Sequence, residues 1–273
     1  MRKRYVICGA AFLVLCLCCR QTAAQNRHAA AAMKHGEEAT YDVYFKWGLL
    51  MSRAGDATFS YGSEQAVDRA TSQYRMLFKS TRFFDSFYRI RDTLSAYYNE
   101  NCELVYSQKN TDEGGYYSID RMTFTCGGEK TRIHSLRYTP SRVKIDTVLT
   151  VEGAVTDLLG VVYYLRGLDR TKLQSGNTYP LTVAIGRDLV KIQFTYRNQA
   201  IVERDKVKYN TRYFIIDIYD EAFESTKMSA EVWLGDDDNL LPVKVRGKLK
   251  IGYAEIYYRE SSNLSHPLRC RVN

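Results

Sequence analysis

The sequence predicts a mainly β protein: a curved antiparallel sheet, an open barrel or a sandwich, with one packed α-helix at about residues 154–166. Three observations carry this. From Thr40 onward, apolar and polar residues alternate with period two in one short segment after another. Turn signals rich in Gly, Asp and Asn separate those segments. A single stretch before Gly167 switches to helical spacing.

The first strand signal is Tyr41, Val43, Phe45 and Trp47 alternating with Asp42, Tyr44 and Lys46, followed after Gly55 by Ala57, Phe59 and Tyr61. Similar segments recur at Tyr74 to Lys79, Ile90 to Tyr98, Leu104 to Gln108, Ile119 to Thr125, Arg132 to Tyr138 and Val143 to Val151. A later group runs Leu181 to Ile185, Leu189 to Tyr196, Ile201 to Tyr209, Tyr213 to Tyr219, Met228 to Leu234, Val243 to Ile251 and Tyr253 to Tyr258. The turns fall at Asp112 to Gly115, Gly127-Gly128, Gly186 to Asp188, Arg197-Asn198 and Gly235 to Asn239. Many short strands joined by short turns make a sandwich, a curved sheet or a barrel.

Between the two groups, Val155, Leu158, Leu159 and Val162 recur at helical spacing, and Arg166-Gly167 marks the stop. This helix is expected to plug or cover a concave sheet. Phe83, Phe84, Phe87 and Tyr88 form pairs four apart that suit a single helical turn. They are read either as the mouth of a ligand site or, as such clusters more often are, as a hydrophobic plug on the sheet edge.

The chain has 273 residues, 26% charged and 13% aromatic, with 17 Gly and 4 Pro, which excludes disordered and collagenous classes. Residues 1–24 read as a secretory signal: Arg2, Lys3 and Arg4, an uncharged run from Tyr5 to Cys19, then Thr22-Ala23-Ala24. The run is shorter than the roughly 20 residues that span a bilayer. Lipid modification at Cys16, Cys18 or Cys19 is the alternative, although no small residues precede them in the preferred way. Cleavage removes four basic residues (Arg2, Lys3, Arg4, Arg20) and no acid, so the net charge falls from +8 to +4. The expected order is then a flexible leader at 25–39, a single β-rich domain at 40–260 and a tail at 261–273. A mild charge in an extracytoplasmic chain argues against nucleic acid as a partner. No second apolar stretch reaches spanning length.

Cys102 and Cys126 flank the hairpin 104–125 and are read as a disulfide worth about 3 kcal/mol, or else as two buried thiols. No metal or other cofactor is expected, since the cysteines and histidines lack ligand spacing. Asp236-Asp237-Asp238-Asn239 reads mainly as turn chemistry. No nucleophile turn or phosphate-binding glycine loop is present, and His134 is the one histidine within a strand. Lys244, Arg246, Lys248 and Lys250 fall on one face of a strand. That stripe suits an anionic partner, or a solvated face opposite Glu and Asp of the next strand.

The segments Val155 to Arg166, Tyr179 to Arg187 and Glu231 to Val245, the last holding Trp233, the Asp run and Pro242-Val243, resemble domain of unknown function family 3108. The opening hairpin Tyr41 to Tyr61 resembles that family's first hairpin, and the likeness spans nearly all of 41–258. The resemblance implies an exported envelope protein of Gram-negative bacteria, often of the Bacteroides group. It also implies a curved antiparallel β structure of the kind found in capsule-locus outer-membrane lipoproteins. The family has no established activity, so it assigns no catalytic residue. The Cys-rich signal and the Cys102/Cys126 pair depart from its pattern. The Trp-turn-Pro hairpin is also similar, at the level of fold, to periplasmic lipoprotein carriers. The expected function is therefore a non-enzymatic carrier or binder of a lipid or glycan in the envelope, with Phe83, Phe84, Phe87 and the basic stripe as ligand-binding candidates. An envelope assembly factor that binds another protein is the alternative, and an envelope-polymer hydrolase a weaker one.

Overall fold

The computed structural model describes residue 27 and residues 29–272, apart from 128–129, 221–222 and 250–251. The signal segment 1–24 lies outside the described residues.

The first group of strands is a plain meander. It comprises β1 (Glu37–Trp47), β2 (Leu50–Ser63), β3 (Ser72–Ser80), β4 (Arg91–Tyr98), β5 (Leu104–Glu113), β6 (Tyr116–Gly127), β7 (Lys130–Tyr138) and β8 (Val143–Glu152). A short helix α1 (Arg82–Asp85) sits between β3 and β4. Then come β9 (Val155–Thr156), helix α2 (Gly160–Arg166), and the second meander: β10 (Thr178–Ile185), β11 (Asp188–Arg204), β12 (Val207–Asp220), β13 (Phe223–Gly235), β14 (Pro242–Lys248) and β15 (Tyr253–Ser262). A final β16 (Arg271–Val272) pairs with β12.

All of these form one sheet in the order β8-β7-β6-β5-β4-β3-β2-β1-β15-β14-β13-β12-β11-β10-β9. Every pairing is antiparallel except β9 with β10. The sheet curls into a nearly closed barrel, so the expected mainly β fold with a packed helix is what the chain forms. The two meanders join where β1 pairs with β15, and β7 and β8 approach the β10–β11 turn at a seam, where Ile145 and Arg137 lie beside Gly186. There the Ser135 hydroxyl of β7 donates to the Gly186 carbonyl of the β10–β11 turn at 2.6 Å.

Two boundaries differ from the sequence reading. The helix starts at Gly160 rather than near 154, because Val155 and Thr156 pair as strand with Thr182 and Val183. Arg197-Asn198 is not a turn: β11 runs through it with a bulge, and the turn falls at Asp205-Lys206, both at positive φ. Nor is the leader loose throughout. Residues 29–31 are helical, Ala29 and Met33 are in the core, and β1 already begins at Glu37.

α2 fills the barrel from the inside and has two working faces. Leu159 and Tyr163 pack on Tyr61, Tyr74, Tyr98 and Phe124 of the first meander. Tyr164, Leu165 and, just beyond, Leu168 pack on Phe194, Phe214, Val232 and Leu234 of the second. Each such side chain contributes about 1.5–3 kcal/mol through burial, so the plug welds the two meanders. Tyr163 and Tyr98 stack at 4.2 Å, 15° between planes.

Candidate functional site

The polar centre of the barrel is an ion pair between residues far apart in sequence. Arg166, at the end of α2, is almost fully buried. Its Nε donates to the Asn239 carbonyl at 3.0 Å, and Nη2 donates to the Glu37 carboxylate at 3.3 Å and to the Ala32 carbonyl at 3.4 Å. Nη1 donates to the other Glu37 oxygen. Burial disfavours the Arg166 charge, yet the Glu37 carboxylate outweighs it and raises the guanidinium's pKa. Burial pushes the nearby Tyr74 phenol up to about 12. With every donor direction taken by protein, this cluster has the character of a structural clamp on leader, helix and the Asn239 loop.

At the seam a cleft of about 100 Å³ is lined by Ser107, Lys109, Asp120, Met122, Arg137, Asp157 and Gly186, among others. Asp157 is buried, and burial raises its pKa to about 6. Its carboxylate accepts from the Gly160 N–H at 2.8 Å, capping α2, and from the Ser107 hydroxyl. Asp120 is held by the Arg137 guanidinium. The cleft thus holds one carboxyl whose pKa burial raises and a second engaged by a guanidinium.

The basic stripe on β14 is not a free field of charge. Lys244 lies over the rings of Trp233 and Tyr257 at 4.8 and 5.3 Å. Arg246 sits 4.0 Å from the Tyr253 ring and pairs with Glu231 and Glu255, both at 3.6 Å. Neighbouring strands continue the pattern: Arg204 is sandwiched between Tyr44 and Tyr257 at 4.8 and 4.7 Å, and Tyr213 stacks on Trp233 at 4.8 Å. Tyr213 and Tyr257 donate to Glu231 and Glu255 at 2.6 and 2.5 Å. Burial first, and these carboxylates second, raise both phenols, that of Tyr213 to about 12. Glutamates of the adjoining strands therefore offset the stripe, as the solvated-face reading expects. Lys248 is exposed, and Lys250 lies outside the described residues.

The aromatic cluster goes the other way. Phe83 and Phe87 are exposed, at 64% and 74%, so they are not a core plug. Thr81 caps α1, accepting from the Phe84 N–H at 3.3 Å, and its own N–H donates to the Ala54 carbonyl of β2 at 2.8 Å. That pins the loop beside the β1–β2 hairpin, whose tip exposes Trp47, Leu49, Leu50 and Met51. The β14–β15 turn adds exposed Leu249, and its Gly252 lies against the Lys46–Trp47 backbone. Gly252 makes this approach possible, since it has φ +75° and a Cβ there would run into the Lys46 carbonyl. The loop that carries Phe83, Phe84 and Phe87 thus lies at the same end of the barrel as the 47–51 tip.

Cys102 and Cys126, read from the sequence as a disulfide or two buried thiols, are not bonded to each other in the structure. Cys102 occupies a left-handed turn position (φ +61°), while Cys126 is exposed at the end of β6, its sulfur 4.0 Å from the Thr131 hydroxyl on β7. The acidic run serves its own turn: Asp237 accepts from the N–H groups of Asn239 and Cys270, both at 3.0 Å, and Asp236 and Asp238 pair with Arg212 and Arg170. His134 is exposed and bonds Asp146 at 2.8 Å.

A family model described as "Protein of unknown function (DUF3108)" matches residues 40–258. The chain belongs to the DUF3108 family. No curated protein is similar to this DUF3108 chain in sequence. Among solved structures, a beta-barrel-like protein of domain of unknown function DUF1849 from Brucella abortus is similar at TM-score 0.57 and 10% identity, over 85% of this chain and 99% of that one. A Bacteroides fragilis protein described as exported and of YmcC-like fold matches at TM-score 0.30 and 7% identity, over 85% and 97%. The Brucella likeness shows that the DUF3108 barrel shares its fold with another family of unknown function.

Glu37, Arg166, Asp157 and the hairpin tip at Leu49 were missed as special positions. Asp157 was visible only as a helix-start residue, and nothing local marks Glu37, whose partner is 129 residues away. Trp47-Gly48-Leu49-Leu50-Met51 carried a signal: five residues at a turn with no polar side chain.

Proposed function

We propose that this chain is an exported, non-enzymatic assembly factor of the cell envelope, acting in the periplasm through its outer surface. The observation that carries this is the filled interior: α2, the leader and the Arg166–Glu37 pair occupy the space that a carried ligand would need. The seam cleft, at about 100 Å³, falls well short of the roughly 300–1,000 Å³ of ligand pockets. A lipid or glycan carrier, the other reading of the sequence, therefore has less support.

The place for a partner is the edge of β8. Among the described residues this ten-residue strand pairs with β7 alone. A strand edge presents unused backbone donors and acceptors to an extended segment of another protein. Lys144, Asp146 and Glu152 along it discourage pairing between two copies of the edge. Photo-crosslinking residues placed at Val143 and Val148 should capture one discrete protein in cells, while the same residue on the β12 face should not. Identical capture patterns from both faces, or none from the edge, would count against the assembly reading.

A second reading, an envelope-polymer hydrolase, rests on the seam cleft, which holds two carboxyls, Asp157 with its pKa raised to about 6 by burial and Asp120. The Asp157 oxygens are already engaged by Gly160 and Ser107 and Asp120 by Arg137, which weakens it. Release of soluble fragments from purified envelope polymer, abolished by Asp157→Asn in a folded protein, would revive it.

A further inference from the structure

We propose that the hairpin-tip end of the barrel docks onto an anionic lipid surface, with Trp47, Leu49, Leu50, Phe83 and Phe87 as apolar anchors. Following the strands from β1 upward places the 47–51 tip, the 81–90 loop and the 249–252 turn at one end of the barrel. They belong to β1, β2, β3, β4, β14 and β15, which are consecutive in the sheet, so the three tips form one arc. Large exposed hydrophobics are concentrated there, and Leu49 at 103% stands clear of the rest of the protein. Tyr88, Tyr116 and Tyr117 extend the arc toward the β5–β6 turn, where Tyr88 packs over Gly114.

Three features select a bilayer over a folded partner. First, the anchors project from separate tips as convex points, which the acyl-headgroup boundary accepts without matching pockets. Second, the residue types are those of a membrane interface, with Trp and Tyr among Leu and Phe. Third, the charge is complementary to anionic headgroups. Lys79, Arg82 and Lys248 are exposed behind the anchors and make no ion pair among the described residues. The acids close by are already held: Asp85 by Arg91, which with Ser80 keeps it at about 2, and Asp112 by Arg89. Glu113 is raised by burial and by Asp92, which itself pairs with Lys109. The surface is therefore cationic where it meets lipid, and long basic side chains behind an apolar tip reach headgroups while the tip inserts. This docking is independent of the strand-edge reading, since β8 lies at the far end of the sheet order from β1.

The test uses the full chain with Trp233→Phe, so that Trp47 is the remaining tryptophan. Vesicles of phosphatidylglycerol with phosphatidylethanolamine should shift Trp47 emission to the blue, and brominated acyl chains should quench it. Phosphatidylcholine vesicles should do so much less. Leu49→Asp with Leu50→Asp should weaken the partitioning at least about tenfold, given the apolar area withdrawn. Phe83→Ser with Phe87→Ser should weaken it from a second loop, and Arg82→Glu and Lys248→Glu by about fivefold each on anionic vesicles only. Because all of these side chains are exposed, melting temperatures should match the parent. Trp47 emission unmoved by every vesicle, or equal partitioning of parent and variants, would overturn the proposal. Concentration-dependent self-association in vesicle-free buffer that the Leu49/Leu50 change abolishes would overturn it in favour of a second copy. Specific capture of one protein at these tips, without any vesicle binding, would overturn it in favour of that protein.

Discussion

Asp157→Asn offers the sharpest test of how the seam is built. Asp157 is buried and its pKa stands at about 6 against an ordinary 3.8. The folded chain thus holds this proton more tightly than the unfolded chain. Stability from this group is fully present below about pH 4, is lost as the pH climbs through about 6, and is smaller by about 3 kcal/mol above that. Asparagine keeps a carbonyl oxygen to accept from the Gly160 N–H and never ionises, so the variant lacks this dependence. Urea unfolding of both proteins at about pH 4 and about pH 8 isolates the effect, because the other carboxylates cancel in the difference. The wild type minus variant stability should fall by about 3 kcal/mol from the lower pH to the higher, with Asn the more stable at the higher. Lys109, Arg137 and Asp120 share the cleft and remain in both proteins. An equal difference at the two pH values would refute the claim that burial governs Asp157.

Further outcomes follow from the core. Glu37→Leu alone leaves the Arg166 charge buried without its partner and should cost about 3–5 kcal/mol in chemical denaturation, most of it recovered in the double variant with Arg166→Met. The Tyr98 hydroxyl is buried with no hydrogen-bond partner among the described residues, so Tyr98→Phe should leave the melting temperature unchanged or raise stability by about 1 kcal/mol. Maleimide labelling of the native chain should modify exposed Cys126 quickly and buried Cys270, whose thiol burial pushes up, only after denaturation.

The strands were legible because a half-buried strand writes its two faces into alternate residues, and Tyr41, Val43 and Phe45 show this plainly. The helix was legible as an element and mislocated at its start. Val155 has helical spacing to Leu158 and Leu159, yet a two-residue pairing with β10 claims it, and no local pattern reports a pairing across 27 residues. Phe83 and Phe87 illustrate a different limit. Their spacing reveals that they share a side, and their packing is decided by whether the neighbouring loops rise above them. Likewise Lys244 and Arg246 alternate as a basic stripe in one dimension, while the glutamates that offset them come from β13 and β15. The Glu37–Arg166 clamp exists only once leader, helix and barrel have met.

The order of strands in the sheet also governs when the fold can be completed. β1, the first strand to emerge, lies between β2 and β15, and its second neighbour is the last long strand of the chain. Whether the chain emerges from a ribosome or through a translocation pore, its opening strand must wait for nearly the whole sequence before both edges are satisfied. Loop closure over that distance makes the final docking slow relative to local hairpins. An incomplete chain presents the unpaired edge of β1 and lacks the Asn239 loop whose carbonyl accepts from Arg166. Such a topology postpones locking until synthesis is finished.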